Sequence, residues 1–65
     1  MNVGASIRHI RKEKGMSQVE LAEKVNVTQS MLCQIERGTK APSLPLSMEI
    51  ANVLGCTLNE IAEGV

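Results

Sequence analysis

The 65-residue chain has no aromatic residue, no aspartate, a single histidine and two cysteines, and these shortages exclude most catalytic chemistry. A Ser-His-acid site would need His9 held by a glutamate, in a segment crowded with basic residues. A zinc site would need His9, Cys33 and Cys56 to converge without any C-x-x-C or H-x-x-x-H spacing. We therefore expect a solvated histidine, cysteines that act as small apolar fillers, and a protein that is not an enzyme and carries no metal or other cofactor.

The chain also lacks any apolar run long enough for a signal peptide or a membrane helix. Two isolated cysteines do not suggest a disulfide framework. These features predict a cytoplasmic protein with reduced thiols and no membrane association. The length predicts one small domain, residues 1–65, near the lower limit for folding without a disulfide or a metal.

The zero net charge conceals an asymmetry along the chain. Residues 1–40 carry all seven basic side chains and four acids, which gives +3, whereas residues 41–65 carry three acids and no base, which gives −3. One end could therefore face a polyanion while the other end serves a different purpose. A solvated surface of mixed charge is the alternative, and charge alone does not decide between them.

Helix signals recur along the chain, and no segment alternates with the two-residue period of a strand, so the sequence predicts five helices. The first begins near Val3. The predicted caps of the other four carry hydroxyl side chains: Ser17, Thr28, Ser43 and Thr57. The predicted ends of the first four are residues that tolerate a left-handed backbone: Gly15, Asn26, Gly38 and Gly55. Ser17 and Thr57 are each followed three residues later by a glutamate, which is the spacing of a capping box.

Helices two and three are short, and a turn of about three residues joins them. Such a turn forces a steep crossing, which is the helix-turn-helix geometry. The third helix would turn Leu32 and Ile35 inward. Its outer side would carry hydrogen-bonding groups: Gln29, Ser30 and Gln34. A glutamine amide holds a donor and an acceptor together, which matches adenine N6 and N7 in the major groove, although exposed Gln and Ser are also ordinary on a helix.

The stretch from Ile7 to Ile61 closely resembles the lambda-repressor-like, Cro/cI-type (XRE-type) helix-turn-helix family. The matching segments are IRHIRKEKGMSQVELAEKV, VTQSMLCQIERGTKAPSL and IANVLGCTLNEI. The resemblance implies an all-α, compact five-helix DNA-binding domain whose helix-turn-helix is made by helices two and three. It also implies double-stranded DNA as the partner.

The resemblance assigns roles to individual positions. The base-reading positions of the family match Gln29, Ser30, Met31 and Gln34. The phosphate-binding positions match Ser17, Gln18, Arg37, Thr39 and Lys40. Arg11 and Glu36 match a partly buried ion pair that ties helix one to helix three. Two departures are Asn26, where the family usually has glycine, and Ser47, where a leucine is common and where packing is therefore in doubt.

Helix four has two apolar stripes, where one would suffice to pack a peripheral helix on a small core. One stripe is Leu46, Ile50 and Val53; the other is Ala51 and Leu54, with Met48 nearby. Two stripes imply a second covered surface, so the sequence predicts an isologous homodimer through helices four and five. Its predicted interface residues are Val53, Leu58, Ala62 and Val65. The alternative is that the extra apolar groups close over the protein's own core.

These features together predict a sequence-specific double-stranded DNA-binding protein, a transcriptional regulator of the repressor type that acts as a homodimer on a palindromic operator. No small-molecule ligand is expected. An interpretation from a different class remains open: a protein-interaction module, such as the antitoxin of a toxin-antitoxin pair. A DNA-binding antitoxin would combine the two.

Overall fold

Five helices make up the computed structural model, which describes residues 3–63. They are α1 (Val3–Glu13), α2 (Gln18–Lys24), α3 (Gln29–Arg37), α4 (Leu44–Leu54) and α5 (Leu58–Glu63). Within the described residues there is no strand, so the prediction of an all-α fold with five helices is confirmed. None of these helices is long and apolar enough to cross a membrane.

The predicted caps begin the helices because each hydroxyl accepts a hydrogen bond from the backbone N–H three residues later. The observed pairs are Ser17 with Glu20 (3.0 Å), Thr28 with Met31 (3.0 Å) and Ser43 with Leu46 (3.3 Å). At α5 both hydrogen bonds of the capping box are present. The Thr57 hydroxyl accepts from the Glu60 N–H at 3.1 Å, and the Glu60 carboxylate accepts from the Thr57 N–H at 2.9 Å. That backbone hydrogen bond, together with one from the Thr57 hydroxyl, holds the pKa of Glu60 below its ordinary value.

The core lies where all five helices meet. Its largest fully buried side chains are Ile7, Leu21, Leu32, Ile35, Ile50, Leu54 and Ile61. His9 is exposed, with its Nε2 3.5 Å from a Glu13 carboxylate oxygen. Both cysteines are free and half-buried. Cys56 packs against the core, where burial raises the pKa of its thiol. Among the described residues no three potential metal ligands come together.

Helix α4 differs from the expectation of a spare apolar stripe. Ile50, Ala51 and Leu54 come from both predicted stripes, and all three are buried in the core of the same chain. Val53 is half-buried and packs against that core. A helix that packs against several neighbours buries residues around much of its circumference. Residue spacing alone does not show how large the buried part is. The large hydrophobic residues of α4 that remain exposed are Leu44 and Met48.

Ser47, at the position where leucine is common in the family that the sequence resembles, is buried. Its hydroxyl donates to the Ser43 backbone oxygen at 2.9 Å, so the buried polar group is satisfied. Ser47 lines an open cavity of about 340 Å³ between the start of α1, the loop after α3, and α4. Ile35 and Pro42 also line this cavity.

Gly4 sets the distance between α1 and α3. A Cβ atom at this position would lie 1.9 Å from the Ile35 backbone oxygen and 2.9 Å from the Glu36 backbone oxygen. These neighbours are main-chain atoms of α3, so they cannot move aside as a flexible side chain could. The two helices therefore touch backbone to backbone at this point.

We expect Gly4→Ala to lower the free energy of unfolding by about 3 kcal/mol, as overpacking against a fixed backbone does. Without this close contact, a glycine-to-alanine change inside a helix would raise the free energy of unfolding by roughly 1 kcal/mol. A decrease on mutation would therefore be evidence for the contact. Gly55→Ala is the matched control: it meets open space, and its φ of +71° should cost about 1–2 kcal/mol. Urea denaturation of both variants measures the difference. A Gly4→Ala protein as stable as the parent would contradict the close contact.

Candidate nucleic-acid interface

Helices α2 and α3 are joined by a short turn whose geometry depends on Asn26. This residue adopts a left-handed conformation with φ of +61°, which asparagine tolerates better than most residues. The cap at Thr28 then starts α3, and Gly38 ends it with φ of +84°. The outer side of α3 carries exposed Gln29 and Ser30, with Gln34 partly exposed.

A buried ion pair supports this surface from behind. The Arg11 guanidinium donates twice to the Glu36 carboxylate, with Nε to Oε2 at 2.7 Å and Nη2 to Oε1 at 3.0 Å. Its third contact is a hydrogen bond from Nη1 to the Met16 backbone oxygen at 2.9 Å. Arg11 and Glu36 are 7% and 5% exposed, so the two charges are withdrawn from water together. The pair thereby fixes α1, α3 and the approach to α2 relative to one another.

A line of hydrogen bonds runs from this pair to the outer surface. The Gln18 Nε2 donates to Glu36 Oε1 at 3.1 Å, and the Gln29 Nε2 donates to Gln18 Oε1 over a longer 3.5 Å. A glutamine amide has two N–H donors and an oxygen with two lone pairs. Gln29 therefore keeps one N–H and its whole carbonyl oxygen, and Gln18 keeps one N–H. The free groups of Gln29 are those that a bidentate contact with adenine requires.

The hydroxyls of Ser17 and Thr39 are engaged differently. The Ser17 hydroxyl accepts a hydrogen bond, so its own hydrogen is available to another acceptor. The Thr39 hydroxyl donates its hydrogen to the Gln34 backbone oxygen at 3.0 Å, and the Thr39 N–H donates to the same oxygen at 3.0 Å. Thr39 thus attaches the loop to the end of α3. A phosphate contact by this hydroxyl would require it to release the Gln34 oxygen.

Arg37 and Lys40 are exposed at the end of α3 and in the loop that follows. Met31, expected beside the base-reading residues, is half-buried and packs against the core. Sequence reasoning also treated Cys33 as a filler and gave Arg8 no role. Both instead line a polar cavity of about 360 Å³ together with three other residues: Gln18, Glu36 and Arg37. The spacing of Arg8, three residues before Arg11, indicated only that the two arginines are neighbours on α1. It did not show that Arg8 lies beside residues of α3.

The residues expected at a dimer interface are not all described by the structure. Leu58 is 36% exposed and Ala62 is exposed, whereas Val53 is half-buried. Val65 lies outside the described residues. Apolar surface therefore remains uncovered on α5, but it is smaller than two free stripes on α4 would have provided.

Comparison with known proteins relates this geometry to characterised ones. A family model described as helix-turn-helix matches residues 7–61. The immunity repressor protein of Bacillus phage phi105 is 44% identical over 61 residues, which are 94% of this chain and 42% of the repressor. The chain therefore spans less than half the length of that relative.

Two solved complexes are also similar. The master regulator for biofilm formation SinR, solved in complex with DNA, is 38% identical with a TM-score of 0.86, covering 92% of this chain and 97% of SinR. The P22 c2 repressor, solved with a synthetic operator, is 25% identical with a TM-score of 0.90, covering 100% of this chain and 98% of the repressor. Both matches extend over nearly all of each chain compared.

We expect Arg11→Ala to lower the free energy of unfolding by about 3–5 kcal/mol, because it leaves the Glu36 carboxylate buried without its partner. His9→Ala is the control: it removes an exposed contact with Glu13 and should change stability by less than about 1 kcal/mol. Thermal and urea unfolding of the two variants measure the contrast. An Arg11→Ala protein that melts like the parent would mean that the pair adds no stability.

Proposed function

Since this chain belongs to the XRE-type, Cro/cI-like helix-turn-helix family of DNA-binding transcriptional regulators, which are not enzymes, we propose that it represses transcription as a homodimer bound to a palindromic operator. The observation that carries the proposal is the outer side of α3. There Gln29 presents a free donor and a free acceptor, and its amide nitrogen lies 3.5 Å from the Gln18 side-chain oxygen. The phage immunity repressor and the P22 c2 repressor, both similar to this chain, are repressors by name.

Base reading is assigned to the residues that project from α3. Gln29 and Gln34 each carry the donor and acceptor pair that adenine N6 and N7 require, and Ser30 lies between them on the exposed side. Met31 packs partly into the core, so its part in base reading would be limited to an edge contact, for example with a thymine methyl group. The alternation of amides with small groups suits a surface that enters the major groove.

Phosphate binding is assigned to two places on either side of α3. At one side are Ser17 and Gln18, whose remaining O–H and N–H hydrogens could both be donated to phosphate oxygens. At the other side, in the loop after α3, is the exposed Lys40; the exposed Arg37, at the end of α3, borders the same cavity as Gln18. Thr39 serves this second place indirectly, because its bonds to Gln34 set the course of the loop that carries Lys40.

Homodimerisation is assigned to the C-terminal, acidic part of the chain. Leu58 and Ala62 are exposed on α5, and Val53 lies half-buried on α4. Val65 lies outside the described residues and is included because the sequence pattern predicts it at the interface. A twofold axis here would separate the α3 helices of the two protomers by about 34 Å, which is one turn of duplex DNA. It would also keep the −3 end of the chain away from phosphate while the +3 end meets it.

A partner of a different kind could occupy the same apolar surface. An antitoxin would cover Leu58 and Ala62 with a toxin rather than with a second copy. Purification of the tagged protein from its native host separates the two cases, since a stoichiometric, tightly bound second polypeptide would favour the antitoxin interpretation.

We expect Gln29→Ala and Gln34→Ala each to weaken specific DNA binding by about 1–3 kcal/mol and to relax the preference at one base position. Lys40→Ala should instead weaken binding to all sequences. It should also lower the salt slope, which is the steepness with which the logarithm of the binding constant falls with the logarithm of the salt concentration, by about one per protomer. Selection of bound sequences from random DNA, followed by affinity measurements at several salt concentrations, tests both expectations.

The double variant Gln29→Ala/Gln34→Ala is the critical case in that selection. The same selected motif for the parent protein and for the folded double variant would show that these glutamines do not read bases. A parent protein that selects no motif at all would contradict the proposed function itself.

We expect the parent protein to sediment as a dimer at micromolar concentration and Leu58→Glu to sediment as a folded monomer, because a buried unpaired carboxylate opposes association. Val53→Glu should act in the same direction, with a loss of stability because Val53 also packs on the core. Met48→Glu is the control, since Met48 is 56% exposed on a different edge of α4 and should leave the dimer intact. A parent protein that remains monomeric would exclude the proposed interface.

A further inference from the structure

We propose that Arg8 of α1 binds a DNA backbone phosphate, which it holds together with Arg37 and Gln18 in the polar cavity between α1 and α3. This inference rests on the proposed function, because the ligand is the DNA that the outer side of α3 is proposed to read. It adds helix α1 to an interface that the sequence assigned only to α2, α3 and the loop after α3.

The cavity is built from two facing elements. Arg8 projects from α1, while Cys33, Glu36 and Arg37 come from α3, and Gln18 lies at the edge. Its volume of about 360 Å³ exceeds what a phosphate group and a few water molecules need. Arg8 also lines a second open cavity of about 230 Å³, where Lys12 of α1 adds another positive charge and the same Glu36 of α3 is again the carboxylate in the lining. Two cationic depressions therefore adjoin at Arg8.

The charges around the cavity leave it cationic. Its one carboxylate, Glu36, accepts from Arg11 at 2.7 and 3.0 Å and from Gln18 at 3.1 Å, so the negative charge is already balanced from the core side. Arg8 and Arg37 are exposed, and neither lies within ion-pair distance of a carboxylate of residues 3–62. Two guanidinium groups without carboxylate partners therefore border one opening, where an anion between them would be stabilised by both.

The position of the cavity favours a phosphodiester of the bound DNA as that anion. Gln29, Cys33 and Arg37 follow one another at four-residue intervals, so they lie along one edge of α3. Gln18, which contacts Gln29, borders the same edge. The DNA strand beside the base read by Gln29 would run along this edge and pass the cavity that Arg8 and Gln18 both line.

The arginine geometry suits this ligand. A guanidinium group can donate two parallel N–H bonds to two oxygens of one phosphate, and no carboxylate of residues 3–62 pairs with Arg8. The remaining Gln18 N–H could donate to the same group. Because Arg8 is exposed, its replacement should leave the fold intact, which makes the assignment testable by binding alone.

The experiment compares Arg8→Gln, Arg8→Lys and the control Lys14→Gln with the parent protein in DNA binding between 50 and 200 mM salt. Lys14 is an exposed base beside the start of α5, where its charge acts on Glu60 and Cys56. For Arg8→Gln we expect a salt slope lower by about 0.9 per protomer, so that the loss of affinity over this range is about 3.5-fold smaller per protomer. The selected base motif and the melting temperature should not change. Arg8→Lys should recover the slope, and Lys14→Gln should keep it.

The possible failures are distinguishable. A parent protein without sequence-specific DNA binding overturns the proposed function and this inference together. A parent protein that binds its motif while Arg8→Gln keeps the full slope overturns this inference alone. Inorganic phosphate, titrated at constant ionic strength without DNA, tests the other source of the same chemistry. Binding of phosphate that Arg8→Gln abolishes, without any change in the DNA salt slope, would make the cavity a free-anion site and contradict the assignment to DNA.

Discussion

The ion pair between Arg11 and Glu36 is the interaction on which the rest of the structure depends. A 65-residue domain has little apolar surface to spare, yet it withdraws two opposite charges from water near its centre. This arrangement is tolerable because the carboxylate accepts three hydrogen bonds and the guanidinium makes a further one to the Met16 oxygen. One of these bonds also holds Gln18 at 3.1 Å, and a longer contact of 3.5 Å joins Gln18 to Gln29. The packing of the helices and the position of Gln18 beside the outer side of α3 therefore depend on the same contacts.

Two local devices complement this pair. At the opposite end of α1, the glycine at position 4 lets α1 and α3 meet through their backbones, so α3 is held at two points along its neighbour. At the helix ends, hydroxyl caps start α2, α3, α4 and α5, and left-handed residues follow α1, α2, α3 and α4 where the chain turns. Short helices gain little from length alone, so these terminal hydrogen bonds account for a large share of what defines α2 and α5.

The parts of the structure that depend on neighbouring residues could be predicted from the sequence, whereas the parts that depend on distant ones could not. Caps such as Thr28 and the left-handed Asn26 act within one turn of the chain, so their residue types reveal them. The resemblance to a known family supplied the pairing of Arg11 with Glu36. Three other features depend on how separate elements are placed. They are the number of buried residues on α4, the hydrogen bond from the Thr39 hydroxyl to the Gln34 backbone oxygen, and the shared cavity of Arg8 and Cys33. Residue spacing carries no information about such encounters.

The line of hydrogen bonds that ends at Gln29 has a consequence for how operator preference can diverge between related proteins. Within the described part of the chain, the side chains of Ser30 and Gln34 make no hydrogen bond to the framework. Under the proposed function, exchanging them would therefore alter the bases that are read and little else. Gln29 is different, because its replacement removes the donor that the Gln18 oxygen receives and so loosens the residue assigned to phosphate. New specificities should therefore arise first at the two unlinked positions. A change at position 29 calls for a second, accommodating change at position 18.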